Sequence, residues 1–165
     1  LHEALHKFID FVGKRNTFCY GEDILNILEN LRLNNIAFNA RTLQSDRPIV
    51  INEYNQTDSC LESNVVEVTS YGSDRLNTQG RISEGVRVEI NLHGSCVPLT
   101  NTNLRPWFHA NAPETQGKYS GEIAKALGVS EGMKGNIHNP LFDVRSMHMG
   151  LRELVLSRHA ENPLR

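Results

Sequence analysis

Val86-Arg87-Val88-Glu89-Ile90-Asn91-Leu92 alternates apolar and polar side chains without a break. Successive side chains of an extended chain point to opposite faces, so this stretch predicts a strand with one buried face and one wet face. A strand of that kind needs apolar elements to lie against. Working outward, the N-terminal third supplies them. Leu5, Phe8, Ile9 and Val12 recur at helical spacing over residues 2–12, with Gly13 as a stop. Ile24, Leu25, Ile27, Leu28 and Leu31 make a broad apolar face on a second helix, where Glu22 and Asp23 suit the positive N-terminus and Asn34-Asn35 ends the run.

Residues 36–38, 49–54 and 65–71 read as further strands, joined by polar loops over residues 55–64 and 72–85 that are rich in Asn, Ser, Thr, Asp and Gly. Beyond Pro113 the spacing turns helical, over residues 121–127 and again over 147–159. The expected fold is a single α+β domain spanning residues 1–165. It has two N-terminal helices, a central, mostly antiparallel sheet of about four to six strands and a helical C-terminal third. No repeat, low-complexity tract or dividing linker interrupts it. The chain starts at Leu1 without a methionine, which fits a fragment of a larger protein.

Composition narrows the function classes. Of 165 residues 39% are hydrophobic and 22% charged, which is ordinary for a globular protein. A net charge of -2 gives no long-range attraction to polyphosphate, so nucleic acid is an unlikely partner. No run approaches the roughly 18 apolar residues of a membrane span. Three cysteines, Cys19, Cys60 and Cys96, are too few and too widely spaced for a disulfide framework. They read as mostly free thiols, as in a reducing cytoplasm or a host cytosol reached by a delivered effector.

The chemical proposal begins where the best strand ends. His93-Gly94-Ser95-Cys96 follows it directly, and Gly94 permits a turn. A thiol there becomes a nucleophile only if a neighbour stabilises the thiolate, and an imidazole does this while also carrying the proton to the leaving amine. His109 lies thirteen residues on, far enough for the chain to turn through Thr100-Asn101-Thr102-Asn103 and return on an adjacent strand over residues 105–110. In this arrangement Cys96 attacks, His109 is the base, and His93 with the turn amides supports the oxyanion. Asn91, Asn101 or Asn103 would hold the imidazole tautomer. The bland reading makes Cys96 a small buried hydrophobe and His109 a polar edge beside Trp107 and Phe108.

Residues 92–113, Leu-His-Gly-Ser-Cys through Pro-Trp-Phe-His-Ala-Asn-Ala-Pro, resemble the site of the glutamine-deamidating toxins of the cytotoxic necrotizing factor and Burkholderia lethal factor group. There a Leu-Ser-Gly-Cys turn supplies the nucleophile and a histidine after an aromatic residue the base. The resemblance implies Cys96 as nucleophile and His109 as base, and a protein as substrate. The turn departs from the group's, with Gly-Ser-Cys in place of Ser-Gly-Cys.

Three other patterns compete. Asn16-Thr17-Phe18-Cys19-Tyr20 before the second helix is similar to papain-like enzymes, with Cys19 at a helix N-terminus and His93 as its partner, although Glu22 and Asp23 crowd that thiol with negative charge. Glu122 to Gly132 looks like the first helix and turn of a helix-turn-helix, but Lys134 falls at an apolar position and Gly132, Gly135 and Pro140 weaken a recognition helix. From Glu114 to Arg165 seven Lys or Arg meet six Asp or Glu, which gives DNA no electrostatic footprint. His138 and His148 flank Asp143 without the spacing of a known metal motif, and His2 and His6 share a helix face at i and i+4, which could bind a metal but near an N-terminus reads as a solvated pair.

The expectation is therefore a thiol-dependent amide hydrolase, a protein deamidase or cysteine protease of effector or toxin type, with no cofactor and no metal. A non-catalytic protein-binding or assembly module is the alternative, and a DNA-binding regulator the second.

Overall fold

The computed structural model describes residues 2–13, 15–21, 23–53, 64–70, 76–78 and 85–164. Cys60 and most of the two predicted polar loops lie outside them. Chain contacts group the protein into two compact units, Leu1–Asn103 and Leu104–Arg165.

In the first unit, helix α1 (His2–Val12) leads to the short strand β1 (Thr17–Cys19) and helix α2 (Asp23–Leu33). Strands β2 (Phe38–Thr42), β3 (Ile49–Glu53), β4 (Val66–Ser70), β5 (Leu76–Thr78), β6 (Val86–Leu92) and β7 (Ser95–Asn103) follow. They form two sheets where the sequence suggested one. The first has the order β1-β7-β6-β2, and the second β3-β4-β5. β6 pairs antiparallel with β2 and β7, as β4 does with β5, but β1 runs parallel to β7 and β3 parallel to β4. Parallel neighbours need a crossover of about a dozen residues, and residues 54–65 supply that length. Periodicity marks a strand but carries no sign of which way its neighbour runs.

β6 is the centre of this unit. Its odd and even positions divide as the alternation requires, with Val86, Val88, Ile90 and Leu92 buried and Arg87, Glu89 and Asn91 exposed. Against that face pack Leu5 and Val12 of α1, Ile24, Leu25, Leu28 and Leu31 of α2, and Ala40 and Leu99 of the flanking strands. The same cluster reaches Ile49, Val66 and Val68 of the second sheet.

The second unit begins with helix α3 (Arg105–Asn111). This corrects the expected returning strand over residues 105–110. Pro106 sits in the first helical turn, where its fixed φ fits and its missing N–H goes unmissed. A single 3-10 turn (Ser120–Glu122) runs into helix α4 (Ile123–Ala126), and helix α5 (Pro140–Arg152) continues into a widened turn over Glu153–Ser157. α5 starts earlier than its apolar spacing suggests because Asn139 caps it, its Oδ1 accepting from the N–H groups of Leu141 and Phe142 at 3.1 and 3.3 Å. No helix forms between Gly128 and Asn139, so the second helix of a helix-turn-helix is not there. The α+β class stands, with a helical C-terminal portion. Among the described residues no helix is long and apolar enough to cross a membrane.

The core of this unit gathers Phe108, Ala112, Ile123, Ala124, Leu127 and Leu154. Gly150 brings α5 close enough that an added Cβ would meet Ile123, Leu127 and Phe108. Alongside, the buried Ser146 hydroxyl accepts from the Ala124 N–H at 3.0 Å. Gly150→Ala should destabilise the protein by about 1–3 kcal/mol through overpacking, read as a lower urea midpoint with unchanged slope.

Candidate functional site

The β6–β7 hairpin closes on His93-Gly94, whose φ values of 50° and 81° place both residues in the left-handed region that a tight two-residue hairpin turn demands. Asn91 Oδ1 accepts from the Gly94 N–H at 3.2 Å and braces the turn. Asn91 pairs with Cys96 across the strands. Directly opposed residues share a face, so Cys96 joins Asn91 on the wet side of the sheet, and its thiol is exposed. The reading of Cys96 as a small buried hydrophobe therefore fails. Within its unit Cys96 makes no hydrogen bond to a described residue, while the His93 ring stacks on His6 of α1, with centroids 5.1 Å apart and planes 7° from parallel.

The segment expected to fold His109 back beside Cys96 does not turn. Thr100 to Asn103 continue β7, which carries the chain about 23 Å from Cys96 over seven residues at ~3.3 Å each. His109 then lies half-buried on α3 in the second unit. Asn101 and Asn103, expected near an imidazole, serve another purpose. The buried Cys19 thiol donates to Asn101 Oδ1 at 3.0 Å and to the Gly21 carbonyl at 3.3 Å. Asn101 Nδ2 donates to Thr17 Oγ1 at 2.9 Å, that hydroxyl donates to the Thr100 carbonyl at 2.9 Å, and Asn103 Oδ1 accepts from the Gly21 N–H at 2.9 Å. This network fastens the three-residue β1 to the sheet edge. Oxygen acceptors at these distances suit the Cys19 sulfur as an S–H donor. Cys19 pairs with Asn103 at one end of β7 and His93 precedes the other end, about 26 Å away by strand rise, so these two are not brought together.

His138 is also tied into local structure. Its N–H donates to Asp143 Oδ1 at 3.2 Å, and its ring lies edge-on to Tyr119 at 5.3 Å. Among the described residues no group of three or more His, Cys, Asp or Glu could hold a metal ion. The His2 side chain lies outside them.

The sequence reading missed an apolar groove between α1 and α2. It measures about 410 Å³ and is lined by Ala4, Leu5, Phe8, Ile27 and Leu31, with Asn26 and Asn30 on one wall. The Asn30 amide is turned onto its own helix, its Nδ2 donating to the Asn26 carbonyl at 2.7 Å. Among the described residues no charged side chain lines the groove. Ala4, Phe8 and Phe11 follow i, i+4, i+7 spacing beside it, and Phe8 is 37% and Phe11 79% exposed. Two apolar stripes on one helix were the signal, since Leu5, Ile9 and Val12 already suffice for the core. Comparison with protein-family models, with curated proteins and with solved structures finds no match.

One buried carboxylate holds α2 against the second sheet. Glu29 accepts from Arg32 Nε at 2.8 Å and Nη2 at 3.0 Å, and from the Ser70 hydroxyl of β4, while Arg32 Nη1 reaches Glu53 of β3 at 2.9 Å. The Arg32 hydrogen bonds outweigh burial and draw the Glu29 carboxyl below its usual value of 4.5, with Ser70 adding to the effect. A carboxyl depressed in the folded state contributes stability above its unfolded pKa and loses it as pH falls through the folded one. Glu29→Gln should therefore lose about 1–3 kcal/mol at pH 7, and its deficit against wild type should shrink in urea titrations below about pH 4.

Proposed function

We propose that this chain is a non-catalytic assembly module in which α1 of one copy docks into the α1–α2 groove of a second copy. The exposed Ala4/Phe8/Phe11 stripe carries this reading. It lies on the same surface as the groove, and a twofold contact needs a knob and a socket side by side on one patch, so that each copy offers both. The uncharged groove suits an apolar occupant, and large exposed apolar side chains in line are the mark of an interaction surface.

Magnitudes set the strength. Fully burying a Phe contributes about 1.5–3 kcal/mol, and a symmetric pair buries four, though Phe8 is already mostly covered. Association costs about 4–15 kcal/mol, so the dimer should be weak, micromolar or looser. Sedimentation over a concentration series should show a monomer–dimer equilibrium that Phe11→Asp weakens at least about tenfold. Phe11 is too exposed for that change to threaten the fold. A chain that stays monomeric throughout, or a dimer indifferent to Phe11→Asp, would refute the reading.

A second reading rests on the exposure of Cys96: a thiol-dependent amide hydrolase in a reducing compartment, with Cys96 as nucleophile and His109 as its base. A mild alkylator at neutral pH should label Cys96 and spare the buried Cys19. If the thiol is a nucleophile, protein targets deamidated or cleaved by wild type are left intact by Cys96→Ala and by His109→Ala. Equal processing by wild type and both variants would end this reading.

A further inference from the structure

α1 turns a second surface to the β6–β7 hairpin, away from the groove. There the His6 and His93 rings lie face to face with centroids 5.1 Å apart. Two imidazoles bound to one tetrahedral zinc have ring centres about 5 Å apart, given Zn–N bonds of about 2.0–2.1 Å. The separation already fits a shared ion. The near-parallel planes do not, and one ring must rotate about its Cβ–Cγ bond to bring both nitrogens onto the metal. His93 is exposed and His6 partly exposed, so both rings are open to an ion from solvent.

The position of His93 is a second observation. It occupies the first residue of the turn at φ 50°, a left-handed conformation that His, like Asn and Asp, adopts more readily than other non-glycine residues. What the imidazole gains is a fixed place at the hairpin tip, opposite a second imidazole presented by a rigid helix.

We propose that His6 and His93 form a surface site for a divalent transition-metal ion of the zinc or copper class, which clips α1 to the β6–β7 hairpin. Imidazole nitrogen suits these metals, and water completes the coordination. The ion binds the folded unit, where the two rings are already adjacent, and not the open chain, where more than eighty residues separate them, so it should raise stability by mass action.

Titration of CuCl2 and ZnCl2 into the 165-residue chain, followed by calorimetry and thermal unfolding, tests this. Wild type should bind one ion, copper more tightly than zinc, with a rise in Tm that EDTA reverses. His93→Asn is the decisive variant, because Asn takes a positive φ readily and should keep the metal-free Tm at or above that of wild type while removing one ligand. It should weaken binding at least tenfold and abolish the Tm rise, as should His6→Ala. His148→Ala, an exposed histidine on α5, should change neither. Metal stabilisation that survives His93→Asn and His6→Ala, or a wild type that takes up no ion, would overturn the site.

Discussion

The burial of one face of β6 is the constraint on which the first unit depends. Val86, Val88, Ile90 and Leu92 point into the space that α1 and α2 fill, and β2 and β7 hydrogen-bond to either edge. Side-chain direction has a period of two, so a one-residue slip in register would expose this whole set and bury Arg87, Glu89 and Asn91. Register is thereby fixed, and with it the face taken by every residue opposite. Cys96 is exposed because it opposes Asn91, and Asn101 is buried because it opposes Val86. The chemistry available to each follows from that arithmetic before any local preference acts.

This explains which parts of the fold are legible in the sequence. α1 and β6 match their predicted bounds, and α2 nearly so, because each buries a single face and writes its period into the chain. β7 does not. Its residues Cys96-Val97-Pro98-Leu99-Thr100-Asn101-Thr102-Asn103 mix turn formers with apolar positions, and the strand is held together by partners on both sides. Pro98 is tolerated because β1 pairs only with residues 101–103 and leaves that edge of β7 open around it. α3 carried a readable signal, a proline in its first turn, but Trp107-Phe108 suits a strand equally well and only tertiary packing chooses.

The asparagines expected beside the candidate imidazole are placed elsewhere for a related reason. Cys, His and Asn within a short span suggest a reactive constellation, yet sequence distance says little about spatial distance along a nine-residue strand. Asn101 and Asn103 spend their amides on anchoring β1, and Cys19 donates into the same network. Polar groups that enter a core must find partners, and among the described residues no buried side-chain nitrogen or oxygen is left without one. Satisfying β1 consumed the asparagines that an imidazole would have needed.

α1 then becomes the element with surplus. A helix of eleven residues needs one apolar stripe to join a core, and Leu5, Ile9 and Val12 provide it. At 100° per residue, Phe8 and Phe11 widen the apolar arc on one side of that stripe, while His6 lies beyond Ile9 on the other. The two outer faces are thus opposed across the buried one, and each meets a different neighbour: α2 and its groove on the first, the hairpin tip on the second. Because the buried stripe fixes the helix rotation, a change on either outer face leaves the other in place. Packing, the groove and the histidine pair therefore answer to separate residues of one short helix, and each can be altered without disturbing the rest.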